Sequence, residues 1–82
     1  MQNKKFIAAY QNANKAYNGW EDQLRDMKLN PEKYAHLSDD QFCQKVSDIQ
    51  NKMKKIRIKI TNEYDTQQRK SNLEDWTPAR CR

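Results

Sequence analysis

From Ser38 to Ser71 the chain runs without a glycine or proline, and its apolar side chains recur at Phe42, Val46, Ile49, Met53, Ile56 and Ile60. Steps of four and three residues are the signature of one helical stripe. Strict alternation, the mark of a strand, is confined to Lys55-Ile56-Arg57-Ile58-Lys59-Ile60, so the longer period prevails and predicts a single helix over 39–70, roughly 50 Å long. Its start is written redundantly. Ser38 and Gln41 have the spacing of a capping box, Leu37 and Phe42 stand at the hydrophobic-staple positions, and Asp39 and Asp40 place negative charge on the first turn.

A second stripe precedes it. Phe6, Tyr10, Ala13, Tyr17, Trp20, Leu24 and Met27 follow one another at the same alternating steps, with Asn3 available as a cap, which predicts a helix over 3–28. Asn18-Gly19 interrupts the composition, giving either a broken first helix and a three-helix arrangement, or a glycine tolerated in mid-helix at about 1 kcal/mol. The phase of the stripe is unbroken across Gly19, which favours the tolerated glycine. Asn30-Pro31 then ends the pattern, because proline disfavours helix in the residue before it, and Pro31 to Leu37 reads as a connector with one helical turn.

Folding the two stripes together across that connector pairs Met27 with Phe42, Leu24 with Val46, Trp20 with Ile49, Tyr17 with Met53, Ala13 with Ile56 and Tyr10 with Ile60. The register stays constant along the pairing, as an antiparallel hairpin requires. The expected fold class is therefore all-α: two long helices in an antiparallel hairpin over residues 1–71, followed by a C-terminal tail over 72–82. In that tail Ser71-Asn72-Leu73-Glu74 has the form of a second capping box, so a short helical turn is expected there. Leu73 and Trp76 either fold back over the Phe6 end of the hairpin or remain a sticky exposed end.

Composition limits what such a hairpin can bury. Leu, Ile, Val and Phe together number 12 of 82 residues, a supply that predicts a marginal domain leaning on a partner or on self-association. Ile7, Ile58, Leu73 and Trp76 lie off the paired stripes and would serve that association. No apolar run is long enough to span a bilayer, and Met1-Gln2-Asn3-Lys4-Lys5-Phe6 lacks the apolar core of a signal peptide, so an intracellular protein without membrane contact is expected. On that footing Cys43 and Cys81 are expected to be reduced thiols, Cys43 beside the stripe and Cys81 in a fraying tail. With His36 the sole histidine, no metal-ligand spacing exists and no metal or other cofactor is expected.

The same poverty of motif argues against an enzyme. Glu21-Asp22, Asp39-Asp40 and Glu74-Asp75 are adjacent pairs that point to different faces of a helix, His36 has no nucleophile at a telling spacing, and a phosphate-binding loop cannot be built with one glycine. Charge is more informative. The formal net charge is +5, and residues 41–60 hold six cations, Lys45, Lys52, Lys54, Lys55, Arg57 and Lys59, against Asp48 alone. These six are the candidate nucleic-acid-binding residues, a stripe able to displace counterions from duplex DNA. The bland alternative is a solvated helical face.

Lys52-Met53-Lys54-Lys55-Ile56-Arg57-Ile58-Lys59-Ile60-Thr61-Asn62-Glu63 resembles the last helix of MADF domains, relatives of the Myb/SANT modules. The family pattern there is Lys, apolar, two free, apolar-Arg, two free, apolar, two free, Glu. Phe6-Ile7-Ala8-Ala9-Tyr10 followed by Ala16-Tyr17-Asn18 is similar to the family's opening, with Ala16 and Tyr17 standing where Leu and Trp are usual. The resemblance implies a nuclear DNA-binding module of a transcription or chromatin factor, with Lys52, Lys55, Arg57 and Lys59 on the DNA-facing helix. Beside it stands the reading of a protein-interaction or oligomerising helical hairpin whose charge serves solubility.

Overall fold

The computed structural model describes residues 4–65 and 69–82, with residues 4–6 as backbone only. Two long helices, α1 (Lys4–Leu29) and α2 (Asp39–Tyr64), lie against each other as the predicted hairpin, and the molecule measures 50 × 19 × 17 Å. Three short 3₁₀ turns complete the order: Pro31–Tyr34 in the connector, then Asn72–Asp75 and Ala79–Cys81 in the C-terminal segment. The expected cap at Asn3 and the side chain of Phe6 lie outside the described residues.

The core is built from the two predicted stripes. Tyr17, Leu24 and Met27 of α1 are buried with Phe42, Val46, Ile49 and Met53 of α2, and Trp20 and Ile56 pack against them half-buried. Tyr10 and Tyr64 meet edge to face at 5.6 Å at the end remote from the connector, which fixes the antiparallel sense. The start of α2 forms as written: the Ser38 side chain accepts from the Gln41 amide, and the Gln41 side chain accepts from the Ser38 amide, both at 3.1 Å. Together these bonds satisfy two of the four donors a helix start leaves unpaired.

Asp26 secures the connector. Its carboxylate accepts from Tyr34 Oη at 2.7 Å, Asn30 Nδ2 at 2.7 Å and Lys33 Nζ at 3.1 Å. The Tyr34 hydroxyl first, then Asn30 and Lys33, hold the Asp26 carboxyl below its ordinary pKa, and the same contact raises that of Tyr34. One turn of 3₁₀ helix with proline at its start is what Asn30-Pro31 predicts.

Helix α1 passes through Asn18-Gly19 without a break, so the two-helix alternative holds and the three-helix one does not. Gly19 is exposed, and a Cβ placed on it would meet nothing within 4 Å. Replacing Gly19 with alanine therefore removes a helix penalty at no steric cost. The expected gain is about 1 kcal/mol, or about 5 °C in Tm, read by thermal circular dichroism.

Three expectations are corrected. Helix α2 ends at Tyr64, not near residue 70, and Asp65 closes it in the left-handed conformation, φ 50°, which aspartate tolerates better than most residues. From there the chain returns along the hairpin as a strap over residues 69–82. Leu73 enters the core with 8% exposure and Trp76 packs on it, so the return covers the middle of the hairpin and not its Phe6 end. Cys81 does not fray: it is joined to Cys43 across a Cα–Cα distance of 5.7 Å, and neither cysteine is a free thiol.

The reason for the return is visible on α2. At 3.6 residues per turn, Cys43, Gln50 and Arg57 line one flank beside the buried stripe, and each holds the strap. Cys43 supplies the disulfide, and Gln50 Nε2 donates to the carbonyls of Leu73 and Trp76 at 2.9 and 2.7 Å. Arg57 Nε binds the Glu74 carboxylate at 3.0 Å. At the connector end Arg80 lies over the Phe42 ring at 4.5 Å, donates to the Tyr34 and Leu37 carbonyls and meets Asp39 at 2.7 Å.

Candidate functional site

The strap divides the surface of the hairpin into two unlike flanks. On the covered flank the polar groups are spent on one another. Glu74, whose side chain is 3% exposed, accepts from Arg57 and, at 2.5 Å, from the Tyr17 hydroxyl, which in turn accepts from the Ser71 amide at 3.1 Å. Ser71 does cap its short turn, through its side chain and the Leu73 amide. Glu74, however, is diverted from the capping-box role to Arg57 and Tyr17, and the Tyr17 hydroxyl takes the amide that Glu74 would have taken. Burial, then the bond to Glu74, push the Tyr17 pKa up to about 12.

A concavity of about 500 Å³ lies between α1 and the strap, lined by Arg25, Lys28, Leu29, Arg69 and Lys70 among others. Two of its four cations are answered from within. Arg25 binds Glu21 and Asp22, each at 2.9 Å, and Lys70 binds Asp75 at 2.9 Å. Among the described residues no cluster of three or more His, Cys, Asp or Glu side chains has the geometry to hold a metal ion.

The six candidate cations do not form one face. Lys45, Lys52 and Lys59, seven residues apart, run along the flank opposite the strap; Arg57 lies under the strap, Lys54 on its border and Lys55 outward. Arg57 is engaged with Glu74 and only 21% exposed, so it is an internal cation. Lys54 shares a small groove with Glu74 and Asp75. Lys52 Nζ stands 4.4 Å from the Trp20 ring centre and Lys45 Nζ 5.8 Å from that of Tyr34, cation–π contacts that tie two of the lysine row to aromatic rings.

On that open flank α1 contributes Ala16, Gly19, Trp20 and Gln23, which line a shallow concavity of about 390 Å³. Trp20 is half-buried there, Ile56 of α2 lies on the same side, and no described residue of the strap lines the concavity. The sequence pointed to the lysines and not to this groove. Its signal was the run of small residues on the outer side of the Trp20 stripe, at Ala9, Ala16 and Gly19.

No helix among the described residues is long and apolar enough to cross a membrane. Comparison with known proteins finds no matching family model, no matching curated protein and no matching solved structure.

Proposed function

We propose that the chain is a non-enzymatic protein-recognition module, a disulfide-stapled helical hairpin that binds its partner through the flank its own strap leaves open. The one-sided cover carries this reading. A two-helix hairpin has two flanks to protect, and here a strap, a disulfide and a buried ion pair are all committed to one, while Trp20, Ile56 and a row of lysines are left on the other. Trp20 and Ile56 are each half-buried, so the flank offers partly exposed apolar ground rimmed by polar residues, a setting in which interaction surfaces are recognised on small proteins. The disulfide supports the same reading, since such links persist in oxidising compartments, where small stapled binding scaffolds are common and nuclear factors are not.

Duplex nucleic acid is the second reading. Lys54, Lys55 and Lys59 favour it, being exposed and without an ion-pair partner among the described residues.

A photo-crosslinking side chain at Gln23 and a duplex titration at two salt concentrations separate the two. The expected result is a nuclease-resistant protein adduct from the native extract, with duplex binding that vanishes at physiological salt. Tight duplex binding, with a log–log salt slope that flattens by about 2.7 when Lys52, Lys55 and Lys59 are neutralised together, would overturn the protein reading.

A further inference from the structure

Among the described residues, each hydrogen bond, ion pair or disulfide that ties the strap to the hairpin is made at Ser71 or beyond it. Tyr17 holds Ser71 and Glu74, Gln50 holds the Leu73 and Trp76 carbonyls, Arg57 holds Glu74, and Cys43 holds Cys81. Immediately before this anchored segment stand Arg69 and Lys70. Both are exposed and outside any helical turn, and their backbone makes no hydrogen bond with another described residue. The Lys70 ammonium meets only Asp75, within the strap itself, in a pair open to solvent. Every other described lysine and arginine except Arg82 lies in a helix or a 3₁₀ turn, the pair Lys54-Lys55 included. An endoprotease cuts exposed backbone that is free of internal bonds and waits for helical backbone to open, so Arg69-Lys70 is the paired-basic segment it can grip in the native fold.

We propose that the Lys70–Ser71 bond is a processing site for a serine endoprotease specific for basic residues, and that the cut protein is two chains, a hairpin ending at Lys70 and a strap beginning at Ser71, joined by Cys43–Cys81. The step is a hydrolysis that consumes one water. The peptide C–N bond breaks, the Lys70 carbonyl carbon gains the oxygen and becomes a carboxylate, and the Ser71 nitrogen leaves as an amine that takes up a proton. The fold is prepared for this break. The Ser71 amide already donates to the Tyr17 hydroxyl at 3.1 Å, behind which lies the buried Glu74 carboxylate, so the new ammonium keeps its bond and adds a positive charge near Glu74. Before the cut the strap is retained by the main chain whatever the state of the cysteines. After it, the disulfide is the sole covalent link, and reduction releases residues 71–82 as a separate peptide. The proposal needs the Cys43–Cys81 link and nothing of the open flank, so it goes beyond the recognition reading and does not depend on it.

The test treats the oxidised protein with trypsin at a limiting ratio and weighs the products with and without reductant. The first cut between Cys43 and Cys81 is expected at Arg69-Lys70, adding the mass of one water, leaving the helical circular dichroism unchanged and freeing the strap only when reductant is added. Arg69→Gln with Lys70→Gln should slow that cut at least tenfold while leaving Tm unchanged. A first cut at Lys54-Lys55 or Arg80, loss of the strap without reductant, or an unchanged rate in the double variant would each overturn the proposal. Protein isolated from its source with thiols blocked should carry the same added water and a new amino terminus at Ser71. An unbroken Lys70–Ser71 bond in that material would overturn the processing site even where trypsin cuts as expected.

Discussion

Replacing Cys43 and Cys81 together with serine is expected to lower the stability of the fold by about 4 kcal/mol. The two cysteines stand 38 residues apart, and closing a loop of that length in the unfolded chain accounts for the figure. For a small helical domain this is a large share of a total of about 5–10 kcal/mol, and it corresponds to a fall of about 20 °C in Tm. The loss should be distributed unevenly. With the link cut, the strap is left to Leu73, Gln50, Arg57 and Arg80, and amide exchange over residues 71–82 should accelerate more than in the buried part of α2. Adding reductant to the native protein should reproduce the serine variant. A doubly substituted protein that melts within a few degrees of the oxidised one would mean that the side-chain contacts alone hold the strap.

The hairpin was legible because it is local and periodic. Phe42 to Ile60 and Tyr10 to Met27 repeat at helical spacing, Ser38 and Gln41 are three residues apart, and Asn30-Pro31 stops one helix beside its own end, so each signal fits within a short window of sequence. The strap is the reverse case. Its helical turns span only three or four residues, too few to show a period, and its anchors join positions far apart, Tyr17 to Glu74 and Cys43 to Cys81. Such contacts are set by how the chain returns in space and leave no local pattern. One trace did exist. Cys43, Gln50 and Arg57 stand seven apart beside the stripe, three polar or reactive side chains where one flank of a solvated helix has no need of them. Lys45, Lys52 and Lys59 on the other flank have the same spacing, and their charge, counted together with that of Lys54, Lys55 and Arg57, drew the reading toward one nucleic-acid-binding set. The composition rule misled for half of its residues: of Ile7, Ile58, Leu73 and Trp76, assigned to self-association, Ile7 and Ile58 are exposed, whereas Leu73 is core and Trp76 packs on it.

The buried triad should give the fold an alkaline limit and a costly single mutation. Arg57→Met leaves the Glu74 carboxylate, 3% exposed, without its cation, and is expected to cost about 3 kcal/mol, the low end for a broken buried pair because Arg57 itself keeps some contact with water. Adding Glu74→Leu should recover part of that loss, since an apolar pair carries no desolvation penalty. Tyr17 supplies the pH dependence. Its hydroxyl proton is shared with Glu74 in a site 2% exposed, and burial and that bond raise its pKa from 10 to about 12. Below pH 10 folded and unfolded chains both hold the proton, so the stabilisation is complete there. Between about 10 and 12 the unfolded chain releases it and the native chain does not, so stability falls as pH rises, by roughly 2–3 kcal/mol across the window. Tyr34, raised by its bond to Asp26, acts in the same direction. Urea melts of the native protein and of Tyr17→Phe, taken from pH 9 upward, should diverge at pH 9 and converge as the pH approaches 12. Curves that stay parallel would show that the Tyr17 hydroxyl does not titrate with folding, and the triad would then be a packing feature with no proton linkage.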